Sequence, residues 1–461
     1  MPIPFQNTYA RLPGTFFEKV DPTPVRAPQL IALNSQLASQ MGIDPAELTL
    51  EILSGNEVPT GAEPLAMAYS GHQFGGFSPQ LGDGRAILLG EVAGKDIQLK
   101  GSGLTPFSRR GDGRSALGPV LREYLVSEAM AALGVPTTRA LAAVLSGENV
   151  VREEIEPGGI FTRVASSHLR IGTVQYFAAR QDHESLEALV NYTLARHYPE
   201  SKTALELLEN VIARQASLIA HWMSLGFIHG VMNTDNMSLS GETIDYGPCA
   251  FMDRFDPAKK FSYIDQNGRY AYHNQASIGR WNLTRLAEAL LPLLHENTDT
   301  AVEIAKGALD KFGPLFENSY QQRFSNKLGL PGRCEPALIE SLLILMAEQQ
   351  TDFTLVFRHL SGPEENLLTQ FKDPEPVKAW LSKWRGSGDI DIDLMQRSNP
   401  IFIPRNHRIE EVIVAGKKND FEPFHQLHAI LQKPFTEQAG AEAFEQTPEP
   451  DQIVPATFCG T

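Results

Sequence analysis

The chain of 461 residues is 42% hydrophobic and 21% charged, which is the composition of a globular protein with material for a large core. Its 55 acidic and 40 basic residues give a net charge of -15, and such a surface disfavours binding to nucleic acid and to anionic membranes. Three widely spaced cysteines disfavour a disulfide framework or a zinc site, and residues 1–17 lack the charged-then-apolar order of a signal peptide. We therefore expect a cytoplasmic protein with no nucleic-acid or membrane partner.

The first 165 residues predict an extension followed by a small β-rich lobe. Residues 1–65 are proline-rich at first and then apolar around Leu30–Met41, where we expect a helix, and they should pack on the lobe formed by residues 66–165. Apolar runs bounded by glycine predict four strands and one helix in that lobe. The strands are Ala86–Val92, Asp96–Leu99, Ala140–Val151 and Gly159–Ala165, and the helix is Leu117–Leu133.

The rest of the chain predicts a larger helical lobe over residues 166–440 and a mobile polar tail over 441–461 that carries Cys459. Apolar residues spaced three and four apart predict five amphipathic helices in this lobe. They are Leu186–His197, Ala204–Leu225, Ile278–Leu294, Ala301–Phe316 and Ala337–Met346. The predicted fold class is therefore α+β, with a small β-rich N-lobe, a larger helical C-lobe and an extension at each end.

Two features of the β-rich lobe are typical of proteins that bind nucleotide phosphates. Gly82 and Gly84, with Arg85, come directly before a predicted strand, where glycines let the backbone approach a phosphate closely. Lys100 ends the next strand and Glu123 lies on the following helix, as in protein kinases, where a lysine binds ATP and pairs with a glutamate. A hairpin turn and a solvated lysine would also explain these residues when each is taken alone.

Basic residues are concentrated around these glycines. Between Arg85 and Arg122 there are seven basic and three acidic residues, a local net charge of +4 in a chain whose total is -15. Arg163 and Arg170 follow on the strand and loop that lead to the second lobe. Because guanidinium groups match the geometry of phosphate oxygens, this clustering favours a polyphosphate ligand over an ordinary salt-bridged surface.

The most informative segment follows the longest predicted helix. His229, Asn236 and the Asp-Tyr-Gly run that begins at Asp245 align, in order, with the His and Asn of the kinase catalytic loop and with its D-F-G motif. An amide oxygen and a carboxylate suit Mg²⁺, so Asn236 and Asp245 are candidate metal ligands. Val231 stands where a kinase has its catalytic aspartate, and Asp235 is the nearby carboxylate that could act as base. The pattern predicts a protein-kinase-like bilobal fold with altered chemistry, or with none.

Longer stretches around these residues are similar to motifs of the selenoprotein O family, kinase-like proteins called pseudokinases because that aspartate is missing. The stretches are residues 7–13, 69–75, 99–106, 229–239, 245–248 and 268–270, with weaker agreement through 399–406. Because these motifs are long and occur in order over nearly the whole chain, the resemblance is specific.

The resemblance implies a protein adenylyltransferase that moves AMP from ATP to Ser, Thr or Tyr hydroxyls of proteins, with Mg²⁺ or Mn²⁺. It implies that ATP lies inverted relative to kinases, that Asp235 is the base, and that Asn236 and Asp245 bind the metal. The residues implied in nucleotide binding are Gly82, Gly84, Arg85, Lys100, Asp112, Gly113, Arg163 and Arg170, with Glu123 as the partner of the lysine. Cys459 takes the place of the family's C-terminal selenocysteine or cysteine, but residues 261–265 lack the second cysteine of a redox pair.

Two alternatives stay open from the residues alone. A phosphotransferase could use Asp235 as its base, although Val231 disfavours this. A non-catalytic ATP-binding module would act through partners, although such a module has less need of both metal ligands and a candidate base. We expect a monomer whose partners are its protein substrates.

Overall fold

The computed structural model describes residues 2–332 and 334–458. The strands over these residues are β1 (Phe17–Lys19), β2 (Gln29–Leu33), β3 (Leu65–Met67), β4 (Gly71–Gln73), β5 (Gly76–Ser78), β6 (Ala86–Val92), β7 (Lys95–Lys100), β8 (Ser115–Ala116), β9 (Arg139–Val151), β10 (Ile155–Ala165), β11 (Phe227–Ile228) and β12 (Ala250–Phe251). The helices are α1 (Ser35–Gln40), α2 (Leu50–Leu53), α3 (Leu117–Ala132), α4 (Ile171–Ala178), α5 (His183–His197), α6 (Ala204–Ser224), α7 (Gln275–Leu294), α8 (Thr298–Leu309), α9 (Phe312–Lys327), α10 (Pro336–Gln349), α11 (Phe353–His359), α12 (Glu364–Leu368), α13 (Glu375–Arg385), α14 (Ile392–Ser398), α15 (Asn406–Gly416), α16 (Glu422–Leu431) and α17 (Glu442–Glu445).

Eight strands form one antiparallel sheet in the order β1-β3-β6-β7-β10-β9-β2, with β8 paired to β10. In the β7–β10 pair, Gln98 lies opposite Arg163. Because side chains alternate between the faces of a strand, Lys100 shares a face with Gln98 and is therefore a diagonal neighbour of Arg163. The register of the sheet thus places two cations side by side.

Both faces of the sheet are covered, and β6 shows how. All seven of its residues are buried. Leu88 belongs to the main core together with Leu121 of α3, whereas Leu89 packs in a second cluster with Leu37 and Leu53 from the first 65 residues. A continuous apolar strand is therefore explained by burial on two sides.

The predicted α+β fold, with an antiparallel sheet followed by a helical region, is confirmed, and it is consistent with a protein-kinase-like architecture. The helix predicted over Leu30–Met41 is wrong in its first part. Gln29–Leu33 forms β2, which pairs with β9 at the sheet edge, and the Asn34 side chain accepts a hydrogen bond from Leu37 N to start the short α1. Pairing with a distant strand overrides the local apolar pattern here.

The helix predicted over Ala301–Phe316 is also wrong as a single element. The chain forms α8 and α9, separated by Asp310 and Lys311. Pro314 lies in the first turn of α9, where its missing N–H is tolerated, but it could not continue α8 through this point. The other predicted helices and strands are confirmed, with ends that differ by up to four residues.

The helical region carries the segment that resembles a kinase catalytic loop. The helix α6 begins with a capping box, in which Thr203 and Glu206 bond each other's backbone, and it buries Leu207, Val211 and Leu218. It leads into β11, which pairs with β12 in antiparallel register. The β11–β12 pair brings residues 229–236 close to the turn before β12.

The division of the chain at residues 65, 165 and 440 stays a prediction. Residues 17–33 contribute β1 and β2 to the same sheet as residues 65–165. Cys459 lies outside the described residues. Within the described part of the chain, no helix combines the length and apolar character needed to cross a bilayer.

Lys327, the last residue of α9, gives a prediction about stability. It is buried, with its Nζ 4.3 Å from the ring centroid of Phe357, and burial lowers its pKa from 10.5 to about 7. Between about pH 7 and pH 10.5 the lysine is protonated in the unfolded chain and neutral in the folded chain. The free energy of unfolding should therefore rise with pH in this window. We expect Lys327→Met to stabilise the protein by about 4 kcal/mol at pH 7 and by less than about 1 kcal/mol at pH 10.

Urea unfolding at pH 7 and at pH 10 measures this difference. Lys311→Met is the matched control, because Lys311 precedes the same helix but is exposed and paired with Glu209 at 2.6 Å. A gain from Lys327→Met that is equal at both pH values would contradict a buried lysine that loses its proton.

Candidate active site

A cleft of about 880 Å³ lies between the sheet and the β11–β12 region. Its walls combine the glycine turn before β6, the loop before β8 and residues 235–245. The lining residues are Tyr69, Gly82, Asp83, Gly84, Arg85, Ala86, Lys100, Phe107, Ser108, Arg109, Arg110, Gly111, Asp112, Gly113, Arg114, Val151, Arg152, Arg163, Arg170, Asp235, Asn236 and Asp245. The sequence-predicted site residues therefore meet in one place, with Glu123 directly behind the wall.

The glycine turn is packed against the loop that follows β7. Gly82 has φ +74°, and a Cβ there would collide with the ring of Phe107. Thr105 Oγ1 donates to the Asp83 carbonyl at 2.6 Å, and Ser108 Oγ donates to the Gly84 carbonyl. Position 82 therefore requires glycine, both for its backbone angle and for lack of space. The glycine turn and the loop after β7 together form one wall of the cleft.

Four charged side chains interact at the floor of the cleft and directly behind it. Lys100 Nζ lies 2.6 Å from Glu123 Oε2 and 2.7 Å from Asp245 Oδ1. Arg163 pairs with the other oxygen of Glu123 and lies 3.6 Å from Asp245 Oδ1. Glu123 thus bridges two cations on neighbouring strands, and both of these reach the same aspartate.

The pKa shifts agree with this geometry. Burial opposes ionisation of Glu123, but Arg163 and Lys100 outweigh it and lower the pKa of the carboxyl group. Removal from bulk solvent likewise opposes ionisation of the half-buried Asp245, yet Lys100 and Arg163 hold its pKa well below the usual range. Both carboxylates are therefore charged at neutral pH, which a pair of buried cations requires.

Asp235 and Asn236 lie in a single 3₁₀ turn, Thr234–Asn236, on the helical side of the cleft. The Asn236 amide nitrogen donates to the Val231 carbonyl at 3.0 Å, which fixes the side chain. Arg170 donates from its guanidinium to the Asp235 carbonyl at 2.7 Å and so holds the backbone of this turn. Burial raises the pKa of Asp235 to about 6.

A β-hairpin, β4–β5, packs on the same turn. Its His72 N–H donates to Thr234 Oγ1 at 2.7 Å, and Gln73 Nε2 donates to Asp235 Oδ2 at 3.2 Å. A Cβ at Gly71 would collide with Asp235 Oδ1. Sequence reasoning assigned no role to Gln73, because it lies 162 residues from Asp235 and no local pattern joins them.

His229 connects the catalytic-loop segment to the Asp-Tyr-Gly turn. It is fully buried, and its Nε2 is 3.0 Å from the Ile244 carbonyl, next to Asp245. Burial lowers the pKa of His229, so the neutral ring donates this hydrogen bond. Asp245 itself has φ +69°, a backbone angle that non-glycine residues rarely adopt. The histidine thus supports a strained turn that directs Asp245 into the cleft.

The oxygen donors at the cleft suit a hard divalent cation that phosphate groups also bind. The Asn236 amide oxygen and the Asp245 carboxylate are hard oxygen donors. Asp235 Oδ1 is buried and accepts no hydrogen bond from residues 2–332 or 334–458. The same residues contain no group of three or more His, Cys, Asp or Glu side chains that could hold a metal alone. Magnesium sites with one or two protein ligands plus phosphates have this character.

A sheet, a helical region and a cation-rich cleft between them are consistent with a kinase-like protein. The family model described as protein adenylyltransferase SelO matches residues 1–432. Proteins named protein nucleotidyltransferase YdiU from a Bradyrhizobium species, Rhizobium rhizogenes and Methylorubrum populi are each 55% identical to this chain. The matches cover 99%, 100% and 99% of this chain and 99%, 97% and 99% of the relatives. The chain therefore belongs to the SelO family of protein adenylyltransferases, which confirms the resemblance seen in its motifs.

The buried position of Glu123 predicts a large effect of its removal on stability. Glu123→Ala would leave Lys100 and Arg163 without their shared carboxylate, and breaking a buried ion pair in this way costs about 3 kcal/mol. We expect a loss of that size in the free energy of unfolding, measured by urea denaturation at pH 7.

Glu63→Ala serves as the control, since Glu63 forms ion pairs with Arg11 and Lys19 at the protein surface. Its loss should cost less than about 1 kcal/mol. Equal losses in the two variants would show that Glu123 does not hold the two buried cations together.

Proposed function

We propose that this chain transfers AMP from ATP to hydroxyl groups of proteins and that Asp235 accepts the proton of the hydroxyl. The observation that carries the proposal is the state of Asp235 Oδ1, a buried carboxylate oxygen in the cleft wall to which no described residue donates. An unsatisfied buried acceptor costs about 1–3 kcal/mol, so its presence at the cleft points to a functional role for Asp235. Family membership and the names of the relatives support the same reaction.

The charge of the cleft supports ATP as the donor. Lys100, Arg163 and Arg170 reach the cleft from three different elements, and the backbone of the glycine turn lies beside them. A protein kinase uses one lysine to bind the phosphates of ATP, so this cleft offers two cations more. This surplus supports a triphosphate that lies inverted and exposes its α-phosphorus to the acceptor.

The reaction that we propose is a single displacement. The acceptor oxygen bonds to the α-phosphorus of ATP, the bond from that phosphorus to the β-phosphate oxygen breaks, and diphosphate leaves. The hydroxyl proton passes to Asp235. Asn236 and Asp245 would hold Mg²⁺ or Mn²⁺, whose charge offsets that of the leaving diphosphate. Lys100 and Arg163 hold Asp245 charged for that purpose.

The finer points of the proposal are the base, the metal and the cellular setting. The roles of the named site residues, a monomeric state and a cytoplasmic location all stay predictions. Val231 disfavours a phosphotransferase, because it is an apolar residue at the position of a kinase base and is itself buried.

Labelled ATP tests the reaction together with its base. We expect label from the α-phosphate, and none from the γ-phosphate, on the chain itself or on unfolded casein. Because a general base contributes about 10²–10⁴-fold to the rate, Asp235→Asn should lower transfer by about 100-fold or more. Removal of divalent metal with EDTA should abolish transfer, and added Mg²⁺ or Mn²⁺ should restore it.

Asp310→Asn is the matched control, since Asp310 is an exposed carboxylate paired with Arg280 at 3.2 Å. This variant should keep the wild-type rate. Label from the γ-phosphate alone would identify a phosphotransferase instead, and full activity of Asp235→Asn would exclude Asp235 as the base.

A further inference from the structure

The β4–β5 hairpin leaves two large aromatic side chains in solvent. Phe74 lies in the turn of the hairpin and is 37% exposed, and Phe77 lies in β5 and is 43% exposed. Phe77 lies 4.8 Å from His72, and His72 lies 5.4 Å from Trp281 of α7, measured between ring centroids. We call the patch formed by Phe74, Phe77, Trp281 and Arg269 the hairpin surface. Aromatic side chains that lie together at the surface are typical of protein interaction sites.

Arg269 gives this patch a positive charge. Its guanidinium lies 4.7 Å from the ring centroid of Trp281, and the turn of the hairpin at Gly75 packs against it. Asp265, the nearest carboxylate along the chain, accepts hydrogen bonds from the backbone of Arg269 and Tyr270 instead. Over the described ranges, no carboxylate lies within ion-pair distance of Arg269.

A second arginine, Arg285, also contacts the ring of Trp281 and can be compared with Arg269. Its guanidinium lies 5.0 Å from Trp281, but it is paired with Glu288 at 2.6 Å. Two arginines therefore stack on one indole, and the one beside the hairpin lacks an acidic partner within the described chain. A stacked, half-desolvated guanidinium is a strong site for a carboxylate.

Hydrogen bonds connect the hairpin surface to Asp235 and to the residues before it. Gln73 donates to Asp235 Oδ2, and Phe74 N–H donates to Asn233 Oδ1 at 3.1 Å. Tyr270, next to Arg269, donates from its hydroxyl to the same Asn233 oxygen at 2.6 Å. None of the hairpin residues 71–78 is part of the cleft lining. The nucleotide cleft and the hairpin surface therefore approach Asp235 from different parts of the chain.

We propose that the hairpin surface docks the acceptor polypeptide and selects segments that carry an acidic residue close to the acceptor hydroxyl. This inference rests on the proposed function, because it assigns the second substrate to the same aspartate. The chain has a net charge of -15, so most of its surface repels an acidic segment. Arg269 supplies a positive charge next to the hairpin that holds Asp235, and the two phenylalanines supply apolar contact for neighbouring side chains.

Synthetic peptides that differ only in the residues beside one hydroxyl test the proposal. One set places glutamate on both sides of a Ser, Thr or Tyr, and the other set places lysine there. With α-labelled ATP, we expect wild-type KM values about fivefold lower for the glutamate peptides. Arg269→Glu should reverse this preference, and Arg269→Gln, which keeps the size of the side chain, should abolish it. KM for ATP should change by less than about twofold in both variants.

Arg385→Glu is the matched charge reversal, because Arg385 lies on α13, is exposed and pairs with Glu364. It should leave the peptide preference unchanged. Equal KM values for the two peptide sets in the wild type, or a preference that survives Arg269→Glu, would overturn the docking proposal while α-label on the peptides keeps AMP transfer intact. If the wild type transfers α-label to no acceptor, the proposed function fails and the docking proposal fails with it.

Discussion

The geometry of the cleft depends on one carboxylate, Glu123. Its two oxygens bind Lys100 and Arg163, which the sheet register places side by side on β7 and β10. Without this bridge, two buried cations would repel each other and could not both approach Asp245. Glu123 therefore links the sheet, α3 and the Asp-Tyr-Gly turn, and the fold itself arranges the charges of the cleft.

Asp235 is positioned by a different part of the chain. Arg170 holds its backbone, and Gln73 on the β4–β5 hairpin holds one oxygen of its side chain. The other oxygen stays without a donor among the described residues. In the proposed reaction, the cations for the donor and the base for the acceptor would come from separate elements that meet at residues 235–245.

Local patterns explain what the sequence could predict. The strands around Lys100 and the helix of Glu123 were predicted because apolar periodicity and glycine turns act over a few residues. The hairpin with Gln73 was not, since its strands have three residues each and its partner is 162 residues away. The error at Leu30–Leu33 has the same cause, because β2 pairs with a strand more than a hundred residues further on. The roles of the site residues were inferred from motifs, and contacts alone do not assign them.

The products of the reaction test the central claim most directly. Phosphorus NMR of the purified chain with ATP, Mg²⁺ or Mn²⁺ and a protein acceptor follows every phosphate at once. The account predicts diphosphate in a one-to-one ratio with a phosphodiester signal on protein, and no ADP. Release of ADP together with a protein phosphomonoester would contradict it, because that result requires attack at the γ-phosphorus by a kinase mechanism.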